Sequence, residues 1–361
     1  MARRVLFAPF YTSNPYQTRL ATALGDVGVT VSGARIQEPE PPSLEAALVA
    51  EHPELLHLHW LHPYFLADGA VKSAWRGRRM LARLAELQRA GVGVVWTAHN
   101  LANHEARFPR VDRYVTRGVA RLAHGVVAHC ECARERLIEE FGAEIADRVH
   151  VVPHANYIAD YPNDVTRDAA RAELGLDPDA PVFLFLGRVR GYKGVFELLE
   201  AFQRAPLPDN AHLLIAGKAT DERVRVRLKR RCKKAERVTL EYGFVPGERL
   251  QVFFNAADAC VFPYRDILTS GAAVLAMSFA MPILAPPLGC LGEVLDEEGA
   301  WFIDQEDDRG LDRALVRAVA DRDRYAAMGR HNFARAESWS PALVADAHRT
   351  IYDSVMRAAA R

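Results

Sequence analysis

The run VFLFLGRVRGYKG, Val182 to Gly194, decides how this chain is read. Val182 to Leu186 form an apolar strand that stops at Gly187, and a helical stretch follows Gly194. A glycine directly after a strand lets backbone approach a ligand closely, while Arg188 and Lys193 on the same short loop bring positive charge to phosphate oxygens. Strand, anion-binding turn and helix make one unit of a parallel α/β sheet, and a diphosphate suits its turn.

Similar units extend in both directions. Downstream, apolar runs at His212 to Ala216, Val238 to Tyr242, Ala259 to Phe262 and Ile283 to Ala285 predict further strands with helices between them. Upstream, Val5 to Ala8, Val29 to Ala34, Leu55 to His59, Val92 to His99, Gly125 to Ala128 and Val149 to Val152 form a first series. Between the series, HANYIADYPNDVTRD, His154 to Asp168, has turn formers and no sustained period, so it reads as a linker. The expected fold is α/β, with two Rossmann-like domains whose parallel sheets face an interdomain cleft. Their bounds are 1–155 for the acceptor and 156–340 for the nucleotide sugar, with a final helix over 341–361 packing back on the first domain.

Composition narrows the classes. Half of the 361 residues are hydrophobic, a quarter are charged, and 46 Lys and Arg balance 46 Asp and Glu, so the chain is neither disordered nor, as a whole, a nucleic-acid binder. The start, MARRVLFAPF, has too short an apolar stretch for a secretory signal and reads as a first strand. Five scattered cysteines, with no CxxC pair, suit a reducing cytoplasm. Charge is uneven: Trp75 with Arg76, Arg78, Arg79 and Arg83 predicts an amphipathic basic helix suited to the anionic inner face of a cell membrane. A second basic cluster, Arg223 to Arg237, reads as solvent-facing.

A second phosphate site is expected in PYRDILTSGAAVLA, Pro263 to Ala276. There Thr269, Ser270 and Gly271 would open a helix whose N–H groups and dipole favour anions. In the N-terminal half, HLHWLHP places His57 and His59 on one strand face and Trp60 and His62 in the loop beyond. No carboxylate or cysteine completes a zinc ligand set, so no metal is expected, and His59, Trp60 and His62 read as an acceptor wall with an aromatic platform. The strand over Val92 to Thr97 opens into Ala98, His99 and Asn100, which puts a histidine at a strand's carboxyl end beside the reacting sugar. Glu105 is a candidate general base for an inverting reaction, or a helix-start carboxylate.

The order Gly187-Arg188, Lys193-Gly194, Ala216-Gly217, Tyr242 to Val245, Pro263-Tyr264 and Gly289 to Glu293 resembles the C-terminal domain of GT-B glycosyltransferases, and most of all glycosyltransferase family 4 and similar bacterial polysaccharide enzymes. The resemblance implies a metal-independent hexosyltransferase with no resident cofactor. In that family the counterparts of Arg188 and Lys193 hold the donor diphosphate, a functional histidine follows the strand that ends before His99, and the Glu293 position contacts the nucleoside. Here Glu293 could instead cap a helix starting near Val294. One departure is plain: the family often has two glutamates, on the donor sugar and its ribose, where this chain has Leu268 and Ala276. The alternatives are a non-catalytic regulator that binds a nucleotide sugar or polysaccharide, and a nucleotide-sugar epimerase of the same fold.

Overall fold

The structure, a computed structural model, describes residues 3–11, 15–35, 44–101 and 107–360. The chain divides into two compact units, one of Met1–Ala155 with Trp339–Arg361 and the other of Asn156–Ser338.

The first unit carries β1 (Arg3–Phe10), β2 (Val29–Arg35), β3 (Leu55–Leu58), β4 (Gly93–Thr97), β5 (Gly125–Ala128) and β6 (Val149–Val151). They form one parallel sheet in the order β2-β1-β3-β4-β5-β6. Its helices are α1 (Pro15–Asp26), α2 (Leu44–Glu51), α3 (His62–Phe65), α4 (Ala70–Arg89), α5 (Pro109–Leu122) and α6 (Glu131–Phe141). β3, β4 and β5 are buried along their whole length, as expected of parallel strands covered on both faces.

The second unit repeats the plan. Strands β7 (Val182–Leu186), β8 (His212–Gly217), β9 (Val238–Tyr242), β10 (Ala259–Val261), β11 (Ile283–Ala285) and β12 (Ala300–Phe302) lie in the order β12-β11-β10-β7-β8-β9, again parallel. Between and after them come α7 (Arg167–Leu174), α8 (Val195–Arg204), α9 (Glu222–Lys234), α10 (Gly247–Ala256), α11 (Gly271–Ser278), α12 (Leu291–Val294), α13 (Gly310–Ala320) and α14 (Tyr325–Glu337). The sequence reading missed β12: three residues, AWF, are too few to show a period.

The last helix, α15 (Pro341–Ala359), is part of the first unit. Val344, Ala345, Ile351, Tyr352 and Val355 join the core built on Val5, Phe7, Leu55, Val95 and Val127. Gly93 and Gly125 clear its path. A methyl on either would come to 2.9 Å or 3.1 Å from Val355.

Strand order fixes where ligands can sit. In the second unit the chain builds outward from β7 through β8 to β9, then returns to place β10 on the other side of β7. The connections after β7 and β10 therefore pass to opposite sides of β7, and the carboxyl ends of these two strands are the usual ligand position in such sheets. The first unit has the same reversal at β1 and β3.

Candidate active site

In the second unit the loops at the carboxyl ends of β7 and β10 are joined through backbone. Gly194, at φ +68°, lies so close to Pro263 that a methyl would strike the Pro263 carbonyl, and Gly217 abuts the Gly187 carbonyl in the same way. Arg265 N–H donates to the Tyr192 carbonyl at 2.8 Å, and its guanidinium donates to the Gly191 carbonyl at 2.7 Å. The loop after β7 and the loop after β10 are thus one structure.

Three cations share it. The half-buried Lys193 packs its Nζ near Gly187 and 5.2 Å from the centre of the Tyr264 ring. Burial, then Arg190 and Arg188, hold its ammonium down to about 8. Arg188 is exposed at the loop's outer edge. The sequence reading passed over Arg190, which hydrogen-bonds Tyr192 and has its Nε buried with no hydrogen-bond partner among the described residues. Tyr264 is buried and hydrogen-bonded to Ser270, and the Ser270 hydroxyl accepts the Ala273 N–H at 3.2 Å as N-cap of α11. Tyr264 therefore links Gly187 and Lys193 to Ser270 and Gly271 at the start of α11, with the half-buried Thr269 just before. Local cationic repulsion, a helix N-terminus and close backbone are together suited to a multivalent anion.

Leu268 and Ala276 are core residues, 4% and 0% exposed. The positions at which the resemblance places the two glutamates are thus filled by apolar packing. The helix near Glu293 begins at Leu291, so Glu293 lies inside α12 and does not cap a helix at Val294.

In the first unit the carboxyl ends of the strands are lined by imidazoles. His57 Nε2 meets Thr97 Oγ1 at 2.7 Å, and its Nδ1 meets the Tyr352 hydroxyl of α15 at 2.6 Å. His59 Nδ1 meets His99 Nε2 at 3.2 Å. Trp60 stacks flat on His99, with ring centres 4.3 Å apart and planes 12° apart. His129 and His154, and His348 from α15, extend the cluster, which the sequence reading did not assemble because its members come from β3, β4, β5, β6 and the far end of the chain. The Nε2 atoms of His59, His129 and His348 are buried with no hydrogen-bond partner among the described residues. Burial keeps all six rings neutral, pushing His129 and His348 down to about 4, His154 to about 3, and His57, His59 and His99 well below the ordinary range.

Of the acceptor-side candidates, His59 is 1% exposed and meets His99 below the surface. Trp60 and Asn100 are half-buried beside His99, and His62 opens α3. Glu105 lies outside the described residues. Among the described residues no three His, Cys, Asp or Glu side chains are grouped to hold a metal ion, and no helix is long and apolar enough to cross a membrane. The predicted basic helix is α4, with Val71 and Trp75 exposed and Arg79 both paired with Glu45 and 4.9 Å over Trp75.

Two parallel six-stranded sheets, each with helices about it, define the GT-B class, and solved structures agree. Sucrose-phosphate synthase from Thermosynechococcus elongatus matches with a TM-score of 0.78 at 19% identity, over 99% of this chain and all of that one. Anabaena HepE in complex with UDP matches with a TM-score of 0.74 at 14% identity, over 98% of this chain and all of that one. Residues 166–335 match the family model of glycosyl transferases group 1. A GDP-mannose:glycolipid 4-beta-D-mannosyltransferase of Xanthomonas campestris pv. campestris is 28% identical over 331 residues, 90% of this chain and 85% of that protein. A D-inositol 3-phosphate glycosyltransferase of Xylanimonas cellulosilytica is 31% identical over 239 residues, 63% of this chain and 56% of that one. The protein is a GT-B glycosyltransferase, an enzyme of the hexosyltransferase type.

Proposed function

We propose that the enzyme transfers mannose from GDP-mannose to a lipid-linked glycan, without a metal and with inversion at the anomeric carbon. The observation that carries the donor half is the loop Gly187 to Gly194, whose Lys193 is crowded by Arg188 and Arg190 and tied through Tyr264 to the start of α11. As the glycosyl C1–O bond breaks, the diphosphate leaves with its electron pair. Arg188, Lys193 and the N–H groups around Ser270 and Gly271 stabilise the growing charge that a divalent cation would otherwise meet. Glu293 contacts the nucleoside in this reading.

Choice of sugar and outcome rests on two supports. The Xanthomonas relative covers most of the chain, and its name specifies GDP-mannose, a glycolipid and a β-linked product. A β-mannoside made from an α-linked nucleotide sugar requires inversion. Leu268 and Ala276, in place of the family's donor-side glutamates, suit an enzyme that does not follow the family's usual course. The acceptor hydroxyl attacks C1 from the opposite side and gives its proton to a base. His99, neutral and stacked on Trp60, serves as that base, with Asn100 and His62 beside it on the acceptor side. The exposed cations and Trp75 of α4 meet anionic lipid at the inner face of the cell membrane.

The test is release of nucleoside diphosphate from a panel of UDP-, GDP- and dTDP-sugars in chelator, with Arg188→Ala and Lys193→Ala as controls. Product anomer is read by NMR. Release from GDP-mannose alone, lost in both variants and giving a β-linked product, is expected. Turnover that survives both substitutions, or an α-linked product, refutes the reading.

A further inference from the structure

The catalytic proposal makes no use of α9, ERVRVRLKRRCKK, which holds eight Lys and Arg and one acid in 13 residues. This is a sharp local excess in a chain whose overall charge is zero. Leu228 and Cys232 face the core, while Arg223, Val226, Arg227, Lys229, Arg230, Lys233 and Lys234 are exposed. Among the described residues only two of the cations are paired with carboxylates, Arg225 with Glu222 and Arg231 with Glu200. Arg227 lies 4.0 Å over Phe196, and Lys229 4.6 Å over Tyr242.

Helix stability does not account for this pattern. The helix dipole favours Lys233 and Lys234 at the C-terminal end but disfavours Arg223 in the first turn. Arg223 with Arg227, and Arg230 with Lys234, are like charges one turn apart, which weakens a helix. Apolar groups sit among the cations: Val226 is 52% exposed, and Phe244, two residues past the Tyr242 that carries Lys229, is 76% exposed. Cations interleaved with an exposed aliphatic and an aromatic side chain complement the headgroup layer of a bilayer better than the stacked bases of a nucleic acid.

We propose that the outer face of α9 docks on an anionic lipid bilayer, as a contact separate from that of α4. The choice of a bilayer rests in part on the reading that the acceptor is lipid-linked. The test is co-sedimentation of the full-length protein with phosphatidylcholine vesicles, plain or mixed with phosphatidylglycerol. It compares the wild type, an α9 variant carrying Arg223→Gln, Arg230→Gln, Lys233→Gln and Lys234→Gln, and an α4 variant carrying Lys72→Gln and Arg78→Gln. Glutamine keeps helix propensity, and circular dichroism checks the fold. The wild type should bind only the anionic vesicles, and the α9 variant should bind about fivefold more weakly for each cation removed, beyond any effect of the α4 changes. Unchanged binding in the α9 variant overturns the proposal, as does a wild type that ignores vesicles and binds RNA. Transfer to a water-soluble acceptor analogue should be equal in the wild type and the α9 variant. If the wild type fails there, the functional reading has failed, and the vesicle result still decides the role of α9.

Discussion

Mild acid should unfold the first unit. His57, His59, His99, His129, His154 and His348 are neutral in the folded protein because burial disfavours the imidazolium, and all six regain an ordinary affinity near 6.5 when the chain unfolds. A folded-state value below the unfolded one means that the unfolded chain binds more protons in acid. The stability is therefore complete above about pH 7 and falls as pH drops below 6.5, with no levelling until the folded values near 4 are reached. At pH 5 each of His129, His154 and His348 accounts for about 2 kcal/mol, so these three remove ~6 kcal/mol and His57, His59 and His99 add to the loss in the same direction, against a typical domain stability of about 5–15 kcal/mol. The midpoint should fall between about pH 5 and 6, with an uptake of several protons per molecule. The second unit, whose histidines are His212 and His331, should keep its amide protection at that pH. Hydrogen exchange with mass spectrometry across a pH series separates the units. His348→Leu, which removes one titrating ring whose Nε2 has no partner among the described residues, should lower the midpoint and reduce proton uptake by about one. A first unit that stays protected down to pH 4, or an uptake of fewer than about two protons, would refute the reasoning.

Other outcomes follow from the second unit and the histidine cluster. Arg190→Ala should weaken nucleoside diphosphate binding by about 10- to 100-fold, the value of a charged hydrogen bond, with Tm unchanged; calorimetric affinities as tight as the wild type's would exclude Arg190 from the anion site. Because Lys193 is held down to about 8 and a bound diphosphate would raise it, affinity should be constant below pH 7, fall by up to about tenfold per unit above pH 8, and be accompanied by proton uptake near pH 8; a flat profile to pH 9.5 would count against the contact. Gly194→Ala, which drives a methyl against the Pro263 carbonyl at φ +68°, should cost about 1–3 kcal/mol in denaturant unfolding and weaken nucleotide binding more than Gly243→Ala, where a methyl meets open space and only the backbone, at φ +154°, is strained. Tyr352→Phe leaves one His57 nitrogen without its hydroxyl partner and should lower Tm by several degrees at neutral pH, with a loss of about 1–3 kcal/mol.

Legibility followed the range of each signal. Strands β5, β7, β9 and β11 could be bounded to the residue because a run of apolar residues ended by Gly or a polar turn is local information. The loop Gly187 to Gly194 was equally plain. Tyr264 as the link between Lys193 and Ser270 was not, since Lys193 and Tyr264 are far apart in sequence and meet only because β10 pairs with β7. His59 and His99 stood out singly, on strands that are neighbours only in the folded sheet, whereas His129, His154 and His348 looked like ordinary polar residues at strand ends and in a helix. Arg190 was passed over because a third cation beside Arg188 and Lys193 looks like a solvated charge until its Nε is seen to be buried.

The same cluster bears on what the first unit is for. A core shaped by stability alone would place Leu or Phe behind β3 and β4, where His57 and His59 now stand. Each buried polar atom without a partner costs about 1–3 kcal/mol, and the Nε2 atoms of His59, His129 and His348 are in that position among the described residues. Burial also makes the rings poor cations, which removes any advantage from charge. What the arrangement retains is a neutral imidazole, His99, whose orientation is fixed by stacking on Trp60 and whose Nε2 is engaged by His59. A hydrogen bond at one ring nitrogen decides which tautomer the other presents. A neutral, oriented ring at the carboxyl end of a parallel strand suits the acceptor-side role proposed above, and no requirement of packing calls for it.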